Sequence, residues 1–200
     1  MRPGVGGRHG HGVRRVLQDV VLRIGLTVDD VLDLAPDAAE VRALDVPMGR
    51  NYRGTIAGYY DNLEKAALDV QDCDDRGAAG VFTTLNPCVS ALLARSANRM
   101  TERPKHTTGD SEIGCRRWLV IDIDPVRPAG IAANQAERQA ALELTREIED
   151  ALLRRGWSYP LLVDSGNGDY LLYRVDLPNS GEVTALFKRF YAGLQTLIDG

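Results

Sequence analysis

Asp122 and Asp124 stand one residue apart at the end of an apolar run, in the stretch WLVIDIDPVRPAG over residues 118–130. Side chains alternate along an extended chain, so a strand through Leu119 and Ile121 places both carboxylates on one side. Two hard oxygen ligands so arranged suit Mg²⁺ or Mn²⁺, with substrate phosphates completing the coordination shell. Pro125 forces the chain to turn directly after them, and Arg127 brings a cation that can neutralise a carboxylate or meet a phosphate. The spacing by itself leaves alternatives open: it also occurs in metal-dependent glycosyltransferases and nucleases, and in a loop it can be no more than a turn.

Some forty residues on, Ser165-Gly166-Asn167-Gly168 separates two apolar segments in YPLLVDSGNGDYLLYRVDLPN. The pattern predicts a β-hairpin, with the second strand running from Tyr170 to Val175. Two glycines at its tip let backbone N–H groups approach an anion, although a tight turn explains the same residues. Asp169 and Tyr170 follow at once, and the negative charge of Asp169 is expected close to any phosphate held there. A third feature is the loop Thr101–Arg117, which concentrates Arg103, Lys105, Arg116 and Arg117 just before the aspartate strand. It reads either as a solvated loop or as a contact for nucleic acid or polyphosphate.

The elements that must position these groups are legible in outline. Residues 1–12 read as a flexible arm, with His9 and His11 belonging to a terminal tail rather than a chelate. Val16, Val20, Val21 and Ile24 predict a helix, and a second short one ends at Pro36. Strands follow in EVRAL and RGTIAGYYD about a turn at Met48–Arg50, then a helix from Leu63 towards Val70. The acidic run Asp69–Asp75 reads as the solvated end of that helix. AAGVFTTLNP is a strand closed by Asn-Pro, and SALLARSANRM (Ser90–Met100) has a helical pattern. Asn134 with Glu137 forms a capping pair for a helix with its apolar stripe at Ala140, Ala141, Leu144, Ile148, Ala151 and Leu152. Gly156 ends it. Ser180 caps a last helix with Val183, Leu186, Phe187, Phe190, Leu194 and Leu197 on one face.

Composition bounds the function. The chain has 200 residues, 44% hydrophobic, enough for one sizeable core or one domain in two lobes. A net charge of −4 supplies no global basic field, so nucleic acid must be met by local patches. Three dispersed cysteines, Cys73, Cys88 and Cys115, suggest neither a disulfide framework nor a zinc site, and fit a reducing compartment. No apolar run approaches a membrane span and the N-terminus has no signal core, so the expected location is cytoplasmic. Strands and helices interleave without regular βαβ repetition, which predicts an α+β fold.

FTTLNP (Phe82–Pro87), WLVIDIDPVRPAG and DSGNGDYLLYRVDLPN (Asp164–Asn179), in this order, resemble the primase-polymerase domain of the archaeo-eukaryotic primase superfamily, in the form carried by phages, plasmids and related mobile elements. The resemblance runs from about Glu40 to the C-terminus. It implies a two-lobed α+β fold with an N-terminal α/β lobe and an RRM-like catalytic sheet, residues 13–200 forming one domain. It implies a template-dependent nucleotidyltransferase, a DNA primase/polymerase acting through two metals. Asp122 and Asp124 would be catalytic and would hold Mg²⁺ or Mn²⁺. Ser165, Gly166, Asn167, Gly168 and Tyr170, the hairpin motif, would bind the nucleoside triphosphate; read from their own charge rather than from the resemblance, Arg127 would meet its phosphates and Arg103, Lys105, Arg116 and Arg117 the single-stranded DNA template. A helicase module or partner is implied at the family level. Two departures stand out: Tyr170 occupies the position where the family carries a histidine, and the family's third acidic motif is expected beyond the final helix, so that the domain reads as C-terminally incomplete. The alternatives are a non-catalytic relative that binds nucleotide or single-stranded nucleic acid, and a metal-dependent glycosyltransferase.

Overall fold

The structure is a computed structural model that describes residues 38–49, 52–126, 132–164 and 168–199. The helices expected before residue 37 therefore lie outside the described residues. The chain forms two compact units that meet in sequence at Cys115/Arg116, and the whole is a mixed α+β fold with two separate sheets.

The first unit is built on a four-stranded sheet in the order β3-β1-β2-β4, from β1 (Ala39–Pro47), β2 (Arg53–Tyr60), β3 (Gly80–Thr83) and β4 (Thr101–Glu102). All of its pairings are antiparallel. The helix α1 (Leu63–Asp75) begins where the Asn62 side chain accepts a hydrogen bond from the Lys65 amide, 3.0 Å. It packs Cys73 against Ala43, Val46 and Ile56. The acidic run expected at its end lies within its last two turns, where Asp69 accepts a 2.5 Å hydrogen bond from Tyr60. Gly77, at φ +79, closes the helix by donating to Asp74.

The sequence pattern over Ser90–Met100 predicts a helix, but only Ser90–Arg95 is helical, as a 3-10 turn. Short polar side chains take over the backbone beyond it. Ser96 Oγ donates to the Arg99 carbonyl, and Asn98 adopts φ +51 while its side chain binds the Asp61 and Asn62 amides. The turn still buries Leu92, beside Tyr59 and Cys88.

The second unit is a three-stranded sheet with two helices: β5 (Cys115–Ile123), α2 (Gln135–Leu153), β6 (Leu161–Asp164), β7 (Asp169–Pro178) and α3 (Gly181–Asp199). β6 and β7 form the expected antiparallel hairpin, with Asp164 opposite Asp169. The strand order is β5-β7-β6, so β7 sits between two strands that α2 joins in sequence. α2 carries the expected capping box, Asn134 and Glu137 each accepting from the other's amide. Its buried residues are Ala141, Thr145, Ile148, Ala151 and Leu152, while Ala140 faces solvent. Ala141, Ile148 and Leu152 join Leu119, Ile121, Ile123, Leu171, Tyr173 and Leu194 in one core, with Phe187 and Phe190 at its margin. Leu186 and Leu197 of α3 remain exposed, so the apolar face of that helix is only partly covered. Among the described residues no helix is long and apolar enough to cross a membrane.

Candidate metal and nucleotide site

The alternation along β5 sorts its side chains by function. Leu119, Ile121 and Ile123 point into the core, whereas Asp122 and Asp124 are exposed. Burying the odd-numbered positions against the helices leaves the even-numbered carboxylates no choice but the open face. Pro125 is buried, which ends the strand and anchors the turn behind Asp124.

The start of β7 meets the end of β5 at close quarters. A Cβ placed on Gly168 would come within 2.5 Å of the Ile123 carbonyl oxygen and 3.2 Å of Asp124 Oδ1. Glycine is required here by the approach of the two strands. Gly168→Ala should push the hairpin away from Asp124, lowering stability by about 1–3 kcal/mol as overpacking does. Urea unfolding measures this; an unchanged midpoint would show that the strands part without cost.

Two residues along, Tyr170 lies half-buried within the field of both carboxylates. The Asp122 charge, then burial, then the Asp124 charge push its phenol above the ordinary tyrosine range. Burial and the neighbouring Asp124 likewise raise the Asp122 carboxyl. Both shifts combine burial with like charges held together on one sheet face. Among the described residues neither aspartate has an ion pair or hydrogen bond, and no set of three or more metal-binding side chains is gathered. A pair of oxygen-donor side chains with no ion-pair partner among the described residues is chemically suited to a hard divalent cation.

Asp169, the residue before Tyr170, lies on the other face of the strand. Its side chain turns to the helix side of the sheet, is 8% exposed, and accepts a hydrogen bond from Thr145 Oγ1 at 3.1 Å. Strand alternation sets it opposite to Tyr170, so its charge does not add to the field around Asp122. Arg127, Ser165, Gly166 and Asn167 lie outside the described residues.

The four basic candidates divide between the units. Arg116 Nη2 donates to Thr184 Oγ1 at 3.2 Å, and its guanidinium lies 5.8 Å from the Phe187 ring centroid. Arg117 pairs with Asp176 at 3.3 Å, and Arg174 meets the same carboxylate at 2.7 Å. Both arginines are thus drawn into the second unit's own packing. Arg103 and Lys105 belong to the first unit and are exposed, with the Arg103 guanidinium 4.4 Å from the Tyr52 ring centroid. Sequence reasoning missed the ion pair of buried Glu40 with the partly exposed Arg42 in that unit. The i,i+2 spacing on one strand face was its only signal. No family model matches the chain, and comparison with curated proteins and with solved structures finds no significant relative of it.

Proposed function

We propose that the protein is a template-dependent nucleotidyltransferase of the primase-polymerase kind, joining nucleoside triphosphates along a single-stranded DNA template. The observation that carries this reading is geometric: Asp122 and Asp124 lie exposed on the side of β5 opposite its core, with Gly168 brought close against Asp124. Asp122 and Asp124 would hold Mg²⁺ or Mn²⁺, which when bound supplies charge stabilisation for phosphoryl transfer. The Tyr170 phenol, neutral at physiological pH like any tyrosine, is a hydrogen-bond donor available to a phosphate oxygen. Gly168 keeps the hairpin close against Asp124, and Arg127 with Ser165–Asn167 remain the assigned triphosphate contacts. The split β-α-β arrangement of β5, α2, β6 and β7 is compatible with an RRM-like catalytic sheet. A helicase module or partner belongs to this reading only as a family-level expectation.

The test is the thermodynamic link between metal and nucleotide. Because triphosphate oxygens complete the cation's shell, Mn²⁺ should bind more tightly in the presence of a non-hydrolysable nucleoside triphosphate than in its absence. Calorimetric titration of the full chain gives both affinities. Equal affinities would remove the basis of the proposal.

A further inference from the structure

The first unit carries a second constructed surface, away in sequence from the aspartate strand. On β1 and β3 the register pairs Arg42 with Phe82 and Leu44 with Gly80, so these residues share one face of the sheet. Phe82 is 58% exposed on an edge strand. Its ring fills the space above Gly80: a Cβ there would sit 2.9 Å from Phe82 Cε2. The glycine seats the ring, and solvent reaches the rest of it.

Beside the ring, Arg42 is held in a fixed orientation. Its Nε and Nη2 donate to the two oxygens of Glu40 at 3.0 and 2.7 Å, and the Glu40 side chain is only 1% exposed. The fork leaves Nη1 without a partner among the described residues. Glu40, Arg42, Leu44, Phe82, Thr83 and Thr84 together line a groove of about 250 Å³. That volume lies below the range of a drug-sized pocket and suits one flat ring system.

A third observation ties basic charge to the groove. Glu40 Oε2 also accepts the Thr108 amide at 2.9 Å, which fastens the loop bearing Arg103 and Lys105 to the carboxylate that orients Arg42. Lys105 is three residues from that anchor, so it lies within roughly 11 Å of it along the chain. An exposed aromatic, an oriented guanidinium and a tethered basic loop are what a single strand requires: a face for a base and cations for its phosphates.

We propose that this groove binds a base of a single-stranded nucleic acid, stacked on Phe82, with the adjacent backbone meeting Arg42 and the Arg103–Lys105 loop. The inference deepens the nucleotidyltransferase reading, and it rests on that reading for the strand's role as template. Stacking is sequence-tolerant, so oligothymidylate serves as the probe. The full chain is titrated into 5′-labelled oligothymidylate in EDTA, without nucleotide, and anisotropy is followed. Phe82→Ala should weaken binding roughly ten-fold, in line with the loss of one base–aromatic stack, and leave the salt slope unchanged, since no ion pair is lost. Phe82→Trp should restore affinity. Gly80→Ala, which keeps the phenyl ring but displaces its seat, should fall between. Phe82 is largely exposed, so these variants keep the core, and circular dichroism verifies it. Wild-type affinity in Phe82→Ala, absence of binding by the wild type, or failure of Trp to restore would each overturn the inference. The metal–nucleotide linkage is measured separately on the wild type: its absence alongside Phe82-dependent DNA binding counts against the nucleotidyltransferase reading alone, and the converse result against this inference alone.

Discussion

Replacing Asp122 and Asp124 together with alanine is expected to remove metal-dependent nucleotide binding and to lower nucleotidyl transfer by more than 100-fold. Losing only an outer partner of a metal ligand costs roughly 10–100-fold, and here both proposed ligands go. The single change Asp122→Asn carries an opposite signature in the metal-free protein. Burial and Asp124 raise the Asp122 carboxyl above the usual aspartate value of 3.8, so the folded chain holds that proton more tightly than the unfolded one. Its contribution is fully present below pH 3.8 and is lost as pH rises through the folded value. At neutral pH the ionised side chain therefore opposes folding, and the asparagine variant should be the more stable apoprotein. Addition of Mn²⁺ should reverse the ranking, raising the melting temperature of the wild type and not of the variant. Thermal melts at pH 4 and pH 7, each with and without metal, measure all of this. A variant that is less stable than wild type at pH 7 without metal, or equally stabilised by metal, would contradict the placement of the two carboxylates.

Glu40→Ala should cost about 3 kcal/mol, the lower end of the loss expected when one member of a buried ion pair is removed. The lower end applies because the Arg42 side chain is 33% exposed and recovers some hydration. Three hydrogen bonds converge on the Glu40 carboxylate, from Arg42 Nε, Arg42 Nη2 and the Thr108 amide. Deleting it frees the guanidinium and unfastens the loop at Thr108 together. For a unit of this size the melting temperature should fall on the order of 10 °C or more. The pH dependence has the reverse sign to that of Asp122. Burial opposes ionisation of Glu40, but the hydrogen bonds from Arg42 and Thr108 outweigh it and hold the carboxyl below its ordinary 4.5. Its stabilisation is thus present above pH 4.5 and fades as the pH falls through the depressed value. Glu40→Ala should flatten this part of the acid-unfolding curve as well as lowering the plateau at neutral pH. An acid limb unchanged from wild type would mean that the pair contributes no net stability.

Phe82 and Glu40 bear on the proposed nucleic-acid groove in different ways. Phe82 contributes a contact surface and little to the core, so its loss should appear in affinity. Glu40 contributes the orientation of Arg42 and the anchor of the basic loop, so its loss should appear first in stability. Measuring both on each variant separates a weakened platform from a weakened fold.

Local order along this chain was legible wherever one periodicity governed it. The alternation Leu119, Ile121, Ile123 against Asp122, Asp124 determined that the two carboxylates share a face, whatever that strand packs on. The Asn134–Glu137 box and the β6–β7 hairpin were legible for a similar reason: caps and hairpins are made by neighbours in sequence. Ser90–Met100 was misread because its apolar spacing is helical, while Asn98 gains more from binding the chain at Asp61 and Asn62. Other features were decided by which strand lies beside which, and sequence spacing does not carry that information. Alternation alone says that Asp169 and Tyr170 face opposite ways; only the placement of β7 beside β5 puts Tyr170 with the aspartates and turns Asp169 towards Thr145. The requirement for glycine at 168 belongs to the same approach of strands and not to the turn. Likewise Arg42 and Phe82 are forty residues apart in the chain, and it is the β1–β3 register that makes them neighbours on one sheet face. Side-chain direction is a property of each strand, whereas the company a side chain keeps is set by long-range pairing, and that only the tertiary structure supplies.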